Sequence, residues 1–316
     1  MSVLDRAHQL ASVGQRGAAI ALIEGAAVND DPEALFAIAN WRLYGMNGPR
    51  DVAEAHRLLD RAVALGDVEA TRLKANLVGN GTGGAPNSEN AARLLETISD
   101  RDPLAAMQLR LLSKSHEAGS RNEDRLSADP DIRVYRALLD RDECDYLVAR
   151  AQPELRPSFV VDPRTGGQMP HPTRTSFGMN FDPAMEDPVV RQLNCRFAEV
   201  TGTTVECGEP LHVLRYAPGQ EYRPHFDAIP GAANQRTWTV LVYLNDAYQG
   251  GATLFDRLAT EFRGGPGDAL VFRNADEHGS PDSRLRHAGM PVKAGVKWLA
   301  TRWIRAEPHD PWTASY

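Results

Sequence analysis

The residues best suited to metal chemistry lie in the last third of the chain. His225 and Asp227 occur together in the segment RPHFDA. In a β-strand, residues i and i+2 point to the same face, so this imidazole and this carboxylate can bind one metal ion. Roughly one His-x-Asp pattern is expected by chance in a chain with nine histidines. The pair alone therefore does not establish a metal site.

A third ligand has to come from a distant part of the chain, and His287 is the residue we expect. Turn-like residues from Met290 to Gly295 follow it, and Lys297 comes ten residues after it. A hairpin formed by a strand ending near His287 and a strand beginning near Val296 would bring the imidazole and the ammonium close together. Two histidines and one carboxylate on one face leave metal positions open, as in non-haem Fe(II) oxygenases.

His278 is the alternative third ligand. It lies in DEHGSPD, a segment dense with turn residues, and no basic residue follows it at the hairpin spacing. We therefore expect His287 rather than His278 to bind the metal.

Short β-strands are the elements that would position these residues. Turn residues separate the apolar runs LHVLRY, TWTVLVYL, ALVF and KWLATRWI. Before them, VYRALLDRDECDYLVARA has apolar residues at helical spacing, and Asp140 is suited to cap a helix beginning near Arg141. The pattern predicts an all-β barrel or a double-sheet jelly roll preceded by a helix.

Three segments in this region resemble the catalytic domain of the prolyl 4-hydroxylases. They are RYAPGQEYRPHFD, RTWTVLVYLNDAYQGGATLF and GDALVFRNADEHGSPDSRLRHAGMPVKAGVKWLATRW, and the resemblance runs from about Val134 to Ile304. It implies a double-stranded β-helix with His225, Asp227 and His287 as the metal ligands. It also implies Fe(II) and 2-oxoglutarate as cofactors, with ascorbate as an additional one.

The same resemblance suggests which residues bind 2-oxoglutarate. Lys297 matches the lysine that binds the C5 carboxylate in the family, and Arg302 on the same predicted strand is the next candidate. Tyr216 and Tyr243 would donate hydroxyl hydrogen bonds, and Thr253 would line the pocket. A buried core role is the alternative for either tyrosine.

Two arginines are candidates for substrate contact by the same resemblance. Arg174 lies in an RTS element and Arg236 in the segment NQRTWT. A surface position is the alternative for Arg174, and a structural ion pair is the alternative for Arg236.

The first third of the chain repeats itself every 36 residues. Ala19, Ala55 and Ala91 follow this step, as do Ala34, Ala70 and Ala106. Such a period predicts helix pairs stacked into a solenoid. The segments resemble Sel1-like repeats, relatives of the tetratricopeptide class, which implies protein contact.

These patterns predict an α+β multidomain chain. Residues 1–115 would form the helical repeat solenoid, residues 116–131 a polar linker, and residues 132–316 the jelly-roll oxygenase domain. The polar stretch SKSHEAGSRNEDRLSADPD, which lacks apolar periodicity, marks the linker.

Composition limits the partners and the location. The net charge of -7 argues against broad attraction to nucleic acid or to an anionic membrane. The amino terminus does not have the pattern of a signal peptide, and no apolar stretch is long enough to span a membrane. Three widely spaced cysteines fit reduced thiols better than a disulfide framework, so we expect a cytoplasmic protein.

The first functional hypothesis is a 2-oxoglutarate- and O2-dependent hydroxylase of a peptidyl residue, with proline favoured by the resemblance and the peptide held by the helical repeats. A hydroxylase of a free amino acid or small metabolite is the alternative. A non-catalytic repeat protein with a relic oxygenase fold is the second alternative, but such a relic would be free to lose a ligand or Lys297, and none is lost.

Overall fold

The structure, a computed structural model, describes residues 1–114, 123–161, 168–170, 173–276 and 278–312. It divides the chain into two units. The first comprises Met1–Ser115 and Pro183–Arg191, and the second comprises His116–Asp182 and Gln192–Tyr316. The helical part of the first unit ends with the helix Pro103–Leu112. Residues 115–122, which include the start of the predicted linker at residue 116, lie outside the described residues.

Seven helices form the larger part of the first unit, and each packs against the next. They are α1 (Val3–Ser12), α2 (Arg16–Val28), α3 (Pro32–Tyr44), α4 (Val52–Ala64), α5 (Val68–Asn80), α6 (Ser88–Glu96) and α7 (Pro103–Leu112).

Helices α3 and α5 begin 36 residues apart and have matching ends. Asp31 and Asp67 cap their amino termini by accepting a hydrogen bond from the third following amide. Gly45 and Gly81 end them in the left-handed conformation, with φ of 67° and 84°, which glycine adopts without strain. The 36-residue period is thus a period of helices, while the Sel1-like solenoid stays a prediction.

The segment Pro183–Arg191 joins this unit although it is distant in sequence. The amide of Asn76 on α5 donates a hydrogen bond of 2.9 Å to the carbonyl oxygen of Ala184, and that of Asn80 donates one of 2.6 Å to the carbonyl oxygen of Pro183. Nothing in the sequence pattern indicated this association, because a period shows which residues recur but not which distant segment they bind.

Antiparallel β-sheets dominate the second unit. Their strands are β1 (Glu123–Ser127), β2 (Ile132–Tyr135), β3 (Arg156–Pro157), β4 (Phe159–Val161), β5 (Gln168–Pro170), β6 (Phe177–Asn180), β7 (His212–Tyr216), β8 (Tyr222–His225), β9 (Arg236–Tyr243), β10 (Tyr248–Gly250), β11 (Thr253–Phe255), β12 (Thr260–Phe262), β13 (Ala269–Arg273), β14 (His287–Gly289), β15 (Val292–Gly295) and β16 (Lys297–Arg305). Two further helices are α8 (Arg141–Ala151) and α9 (Pro188–Thr201), and the first four residues of α9 belong to the first unit.

The larger sheet has the strand order β1-β2-β13-β9-β16-β7-β6-β3, and a four-stranded sheet has the order β12-β11-β14-β8. Strands β10 and β15 form a pair, and so do β4 and β5. Side chains of both main sheets share one buried core, with Leu214, Leu270 and Leu299 from the larger sheet and Phe255 and Phe262 from the smaller. The α+β class is confirmed, and the facing sheets support the expected jelly roll.

The predicted capped helix is present, whereas part of the predicted linker is a strand. Asp140 caps α8 and forms a capping box with Glu143. Strand β1 lies within the linker region and pairs with β2. Four of its five residues are exposed, so its sequence has no apolar alternation by which it could be recognised.

The predicted hairpin between His287 and Lys297 is wrong. Strand β14 begins at His287 and pairs with β11 and β8, whereas β16 begins at Lys297 and pairs with β7 and β9. The intervening β15 pairs with β10. His287 and Lys297 therefore belong to different sheets, and both line one cavity.

None of the described helices is long and apolar enough to cross a membrane.

Candidate metal centre and co-substrate cavity

His225, Asp227 and His287 converge on one point of the four-stranded sheet. His225 on β8 and His287 on β14 are direct neighbours across the strand pair, and Asp227 follows two residues after His225. Their potential ligand atoms all lie within 4.8 Å of one another. The Nε2 atoms of His225 and His287 are 3.5 Å and 3.6 Å from the carboxylate oxygens of Asp227.

Backbone carbonyls orient both imidazoles. The Nδ1 atom of His225 is 2.9 Å from the carbonyl oxygen of Arg223, and that of His287 is 3.0 Å from the carbonyl oxygen of Leu285. A carbonyl oxygen only accepts, so each Nδ1 carries the hydrogen and each Nε2 keeps its lone pair. Both lone pairs are thus available to one metal ion.

Thr239 fixes the carboxylate of Asp227 from the opposite sheet. Its hydroxyl on β9 donates a hydrogen bond of 2.7 Å to Oδ2 of Asp227, and it accepts one of 2.7 Å from Nδ2 of Asn274. All three side chains are buried. The sequence did not single out Thr239, although its inward position on β9, alternating with Leu241 and Tyr243, was the available signal.

The charge of the cluster suits a divalent cation. Burial opposes ionisation of Asp227, but the two histidines and the Thr239 hydroxyl outweigh it and hold the pKa of the carboxyl below its usual range. Burial also lowers the pKa of His287. Two imidazoles and one carboxylate match the two-histidine, one-carboxylate set of non-haem iron, so these residues fit Fe(II).

A cavity opens beside this cluster. Strand β16 provides part of its wall through four alternating residues that face inward: Lys297, Leu299, Thr301 and Trp303. The three ligands of the metal cluster lie on the wall as well, together with Arg174, Leu214, Tyr216, Tyr222, Leu241, Thr253 and Gly289.

Lys297 gives the cavity a buried cation. Its side chain is 2% exposed, and Nζ donates a hydrogen bond of 2.6 Å to the carbonyl oxygen of Gly251. Nζ also lies 5.8 Å and 5.0 Å from the ring centroids of Tyr216 and Tyr243. A dicarboxylate reaching from the metal cluster toward this ammonium fits the cavity chemically.

The two predicted tyrosines differ in position. Tyr216 lies on the cavity wall directly across the strand pair from Lys297. The hydroxyl of Tyr243 donates to the carbonyl oxygen of Phe262 at 3.0 Å and is 2.8 Å from Oγ1 of Thr253. The hydroxyl hydrogen of Tyr243 is therefore already used within the protein, so its geometry favours a role in positioning Thr253, which does line the cavity.

The two predicted arginines also differ. Arg174 lines the cavity, and its guanidinium carbon is 5.5 Å from the ring of Tyr222. Arg236 makes two hydrogen bonds of 2.7 Å to the carboxylate of buried Glu209 and lies over the ring of Trp303 at 4.0 Å. Its geometry favours the structural ion pair. Arg236 contacts the ring of Trp303, which lines the cavity.

The alternative residues are not brought to the cavity. Arg302 is five residues after Lys297 and therefore faces the other side of β16, where it donates to the carbonyl oxygens of Asn194 and Glu209. His278 is exposed, and its backbone amide donates to Asp276.

A β-bulge places one cavity residue that strand alternation would not predict. Tyr222 is three residues before His225, so regular alternation would put them on opposite faces. The register between β8 and β14 shifts between the two, and their rings stack at 3.5 Å with an interplanar angle of 13°.

Thr301 and Trp303 are two further cavity residues that the sequence analysis missed. Within the part of the chain that the structure describes, Oγ1 of Thr301 and Nε1 of Trp303 are buried and have no hydrogen-bond partner. Their alternation with Lys297 on β16 was the signal that could have identified them.

Comparison with known proteins defines the class. A model of the 2OG-Fe(II) oxygenase superfamily matches residues 211–305. Probable prolyl 4-hydroxylase 10 of Arabidopsis thaliana is 32% identical over 238 residues, covering 67% of this chain and 82% of that protein. Prolyl 4-hydroxylase 5 of the same plant is 35% identical over 210 residues, covering 59% of this chain and 72% of that protein.

A similar solved structure is the viral collagen prolyl hydroxylase of Paramecium bursaria Chlorella virus-1 in complex with 2-oxoglutarate. It is 29% identical, with a TM-score of 0.46, and the match covers 56% of this chain and 96% of that one.

The match to the superfamily model makes the protein an Fe(II)- and 2-oxoglutarate-dependent dioxygenase, whose cofactors are Fe(II) and 2-oxoglutarate. Within that superfamily, the chain belongs to the prolyl 4-hydroxylase family.

Proposed function

We propose that the protein hydroxylates a proline residue within a peptide, using O2 and 2-oxoglutarate and producing succinate and CO2. One observation carries the proposal: a single cavity has two histidines and a carboxylate on one wall and a buried ammonium on another. The prolyl 4-hydroxylase relatives favour peptidyl proline over other substrates.

In this proposal His225, Asp227 and His287 hold Fe(II), and Thr239 keeps the carboxylate in position. Lys297 binds the far carboxylate of 2-oxoglutarate, with Tyr216 and Thr253 beside it. Fe(II) and 2-oxoglutarate, when bound, supply the oxidising power that inserts one oxygen atom of O2 into a substrate C–H bond. The protein provides no nucleophile, and its side chains orient the reactants and exclude water.

The substrate would meet the remaining polar groups of the cavity. Thr301 and Trp303 have donors without partners among the described residues, and a peptide carbonyl could accept from them. Tyr222, stacked on His225, offers an aromatic surface, and Arg174 lies beside it. Arg236 would act indirectly, by supporting the ring of Trp303.

The test is purification without oxygen, loading with Fe(II), and measurement of succinate formed from 2-oxoglutarate. The panel comprises proline-containing peptides and free proline, with Asp227→Ala as the inactive control. We expect peptides to stimulate succinate formation and free proline to have no effect. Stimulation by free proline alone would support the small-molecule alternative, and no stimulated or basal turnover would support the non-catalytic one.

We also propose that the helical unit holds part of the peptide substrate. The packing of each helix from α1 to α7 against the next favours this, because arrays of stacked helix pairs offer extended binding surfaces. One part of α5 is already used, since Asn76 and Asn80 bind the segment Pro183–Arg191. Removal of residues 1–115 would leave that segment without its partners, so the full chain has to be used.

Hydrogen–deuterium exchange of the full chain with a long peptide tests this idea. We expect slower amide exchange within residues 3–112 than in the free protein, and no such change with a short peptide. If amide exchange in the helical unit is the same with and without either peptide, the unit would have only a packing role.

A cytoplasmic location is the remaining proposal. All three cysteines are free thiols, two of them buried, which supports a reducing compartment. Ascorbate as an additional cofactor stays a prediction.

A further inference from the structure

The amino group of Lys297 is buried and has no counter-ion among the residues that the structure describes. Its one hydrogen bond goes to the neutral carbonyl oxygen of Gly251, and among the residues that the structure describes no carboxylate pairs with it. Transfer of a charged ammonium from water to such a site is unfavourable unless an opposite charge is supplied.

Asp227 lies on the wall of the same cavity but belongs to the metal cluster. Among the described residues that surround Lys297, none supplies a negative charge. Tyr216 comes from β7, Tyr243 from β9 and Tyr248 from β10, and burial raises the pKa of all three hydroxyls, so they stay neutral. Arg263, which follows β12, is the nearby charged group, and it has the same sign as Lys297. It donates to the carbonyl oxygens of Asp246 and Tyr248, while the Asp246 side chain is exposed.

We infer that the cavity takes up a proton from solvent together with 2-oxoglutarate, because Lys297 becomes fully charged only when the far carboxylate of the co-substrate reaches it. The inference rests on the proposed role of Lys297 in binding 2-oxoglutarate. The neutral amine, one solvent proton and the dianionic co-substrate give an ammonium–carboxylate pair in the bound state. The co-substrate enters already ionised and supplies no proton itself.

The pH dependence follows from the electrostatics of the empty cavity. Burial, and secondarily Arg263, lowers the pKa of Lys297 to about 7. A bound carboxylate raises the pKa again, because an opposite charge favours the protonated amine. Proton uptake on binding should therefore be small well below pH 7 and approach one proton per site well above it.

The affinity for 2-oxoglutarate should also depend on pH, and it should fall as the pH rises. Above pH 7 the co-substrate has to bind a cavity whose amine is mostly neutral. The dissociation constant should rise as the pH increases above 7, by up to about tenfold for each pH unit.

Isothermal titration calorimetry tests the inference on the full chain loaded with Zn²⁺, without peptide and without turnover. The number of protons taken up is the slope of the binding enthalpy against the ionisation enthalpy of the buffer. A slope near one proton at pH 8 and near zero at pH 6 is expected. A slope near zero at pH 8 would overturn the inference.

Two variants separate Lys297 from other titrating groups. Lys297→Arg keeps a cation that stays protonated, so its proton uptake at pH 8 should be near zero. Arg263→Gln removes the like charge, which raises the pKa of Lys297, so the uptake at pH 8 should fall below that of the wild type. Full uptake in Lys297→Arg would assign the proton to another group and overturn the inference.

A spectroscopic measurement covers the case in which a variant does not fold. The chain has only four lysines, at positions 74, 114, 293 and 297, so carbon-13 labelling of lysine gives four side-chain signals. One of them should titrate near pH 7 in the Zn²⁺-loaded protein and stop doing so when 2-oxoglutarate is added. Four signals that all titrate near the usual value for lysine would overturn the inference. Proton-independent binding would leave the proposed hydroxylation intact, whereas failure to bind 2-oxoglutarate would remove both.

Discussion

The hydrogen bond from Thr239 to Asp227 joins the two sheets at the metal cluster, and its removal should weaken metal binding. Thr239→Val keeps the shape of the side chain but removes the hydroxyl that donates to Oδ2 at 2.7 Å. It also leaves Nδ2 of Asn274 without the acceptor it has at 2.7 Å. Because all three groups are buried, water cannot replace either bond without rearrangement.

The size of the effect follows from the charge of the acceptor. A hydrogen bond to a buried carboxylate contributes about 1.5–3 kcal/mol, and loss of such support typically weakens metal affinity by about 10- to 100-fold. We expect a loss of this size in the affinity for Mn²⁺, used as a stable substitute for Fe(II) and measured by calorimetry.

Two variants control for general damage. Thr239→Ser restores the hydroxyl and should recover most of the affinity. Thr237→Val makes the same change two residues earlier on β9, where the hydroxyl donates to the carbonyl oxygen of Ile304 at 3.3 Å and touches no ligand. Wild-type affinity in a folded Thr239→Val protein would refute the reasoning.

Three further predictions concern the ligands, the co-substrate and the folded state. His225→Ala, Asp227→Ala and His287→Ala should each abolish Fe(II)-dependent succinate formation. His278 is exposed, so His278→Ala should keep most of the activity. An inactive His278→Ala protein together with an active His287→Ala protein would make the ligand assignment wrong. Lys297→Ala should raise the 2-oxoglutarate concentration needed for half-maximal turnover by about 100-fold or more. Metal binding measured by calorimetry should be unchanged. If the 2-oxoglutarate concentration needed for half-maximal turnover does not change, the carboxylate site lies elsewhere. Burial, together with Arg174 and Arg236, holds the pKa of His212 well below its usual 6.5. Below pH 6.5 the unfolded chain therefore binds a proton at His212 that the folded protein does not bind. The free energy of unfolding should fall by up to about 1.4 kcal/mol per pH unit as the pH drops below 6.5. Urea unfolding of the metal-free protein at pH 7 and pH 5 measures this loss, which should be smaller in His212→Gln.

The elements that carry strong local patterns could be predicted from the sequence. The apolar runs of β7, β9, β13 and β16 correspond to strands, and Asp140 caps α8 as its sequence indicates. His225 and Asp227 are close in sequence, so the metal cluster could be proposed before its third member was located, although Asp227 lies two residues beyond the end of β8 and not on the strand.

Features that depend on pairing between distant segments could not be predicted. The bulge that turns Tyr222 to the face of His225 depends on the register with β14. The insertion of β15 between His287 and Lys297 depends on its pairing with β10. A local pattern contains no information on either partner.

The contact partners of buried charged side chains could not be predicted from the sequence either. The carboxylate of Glu209 forms ion pairs with the guanidinium groups of Arg236 and Arg305, the latter at 2.8 Å. The hydroxyl of Thr239 donates a hydrogen bond to the carboxylate of Asp227. These contacts satisfy buried charges, and a sequence pattern shows which residues are charged but not which of them meet.

Mass spectrometry of a proline-containing peptide after reaction under oxygen-18 gas is the most direct test of the central claim. The full chain, Fe(II) and 2-oxoglutarate are supplied, and fragmentation locates the added mass. We predict one oxygen-18 atom on a proline ring, and none when His287→Ala replaces the wild type. Succinate formation without labelled proline, or equal labelling by the His287→Ala protein, would contradict the account.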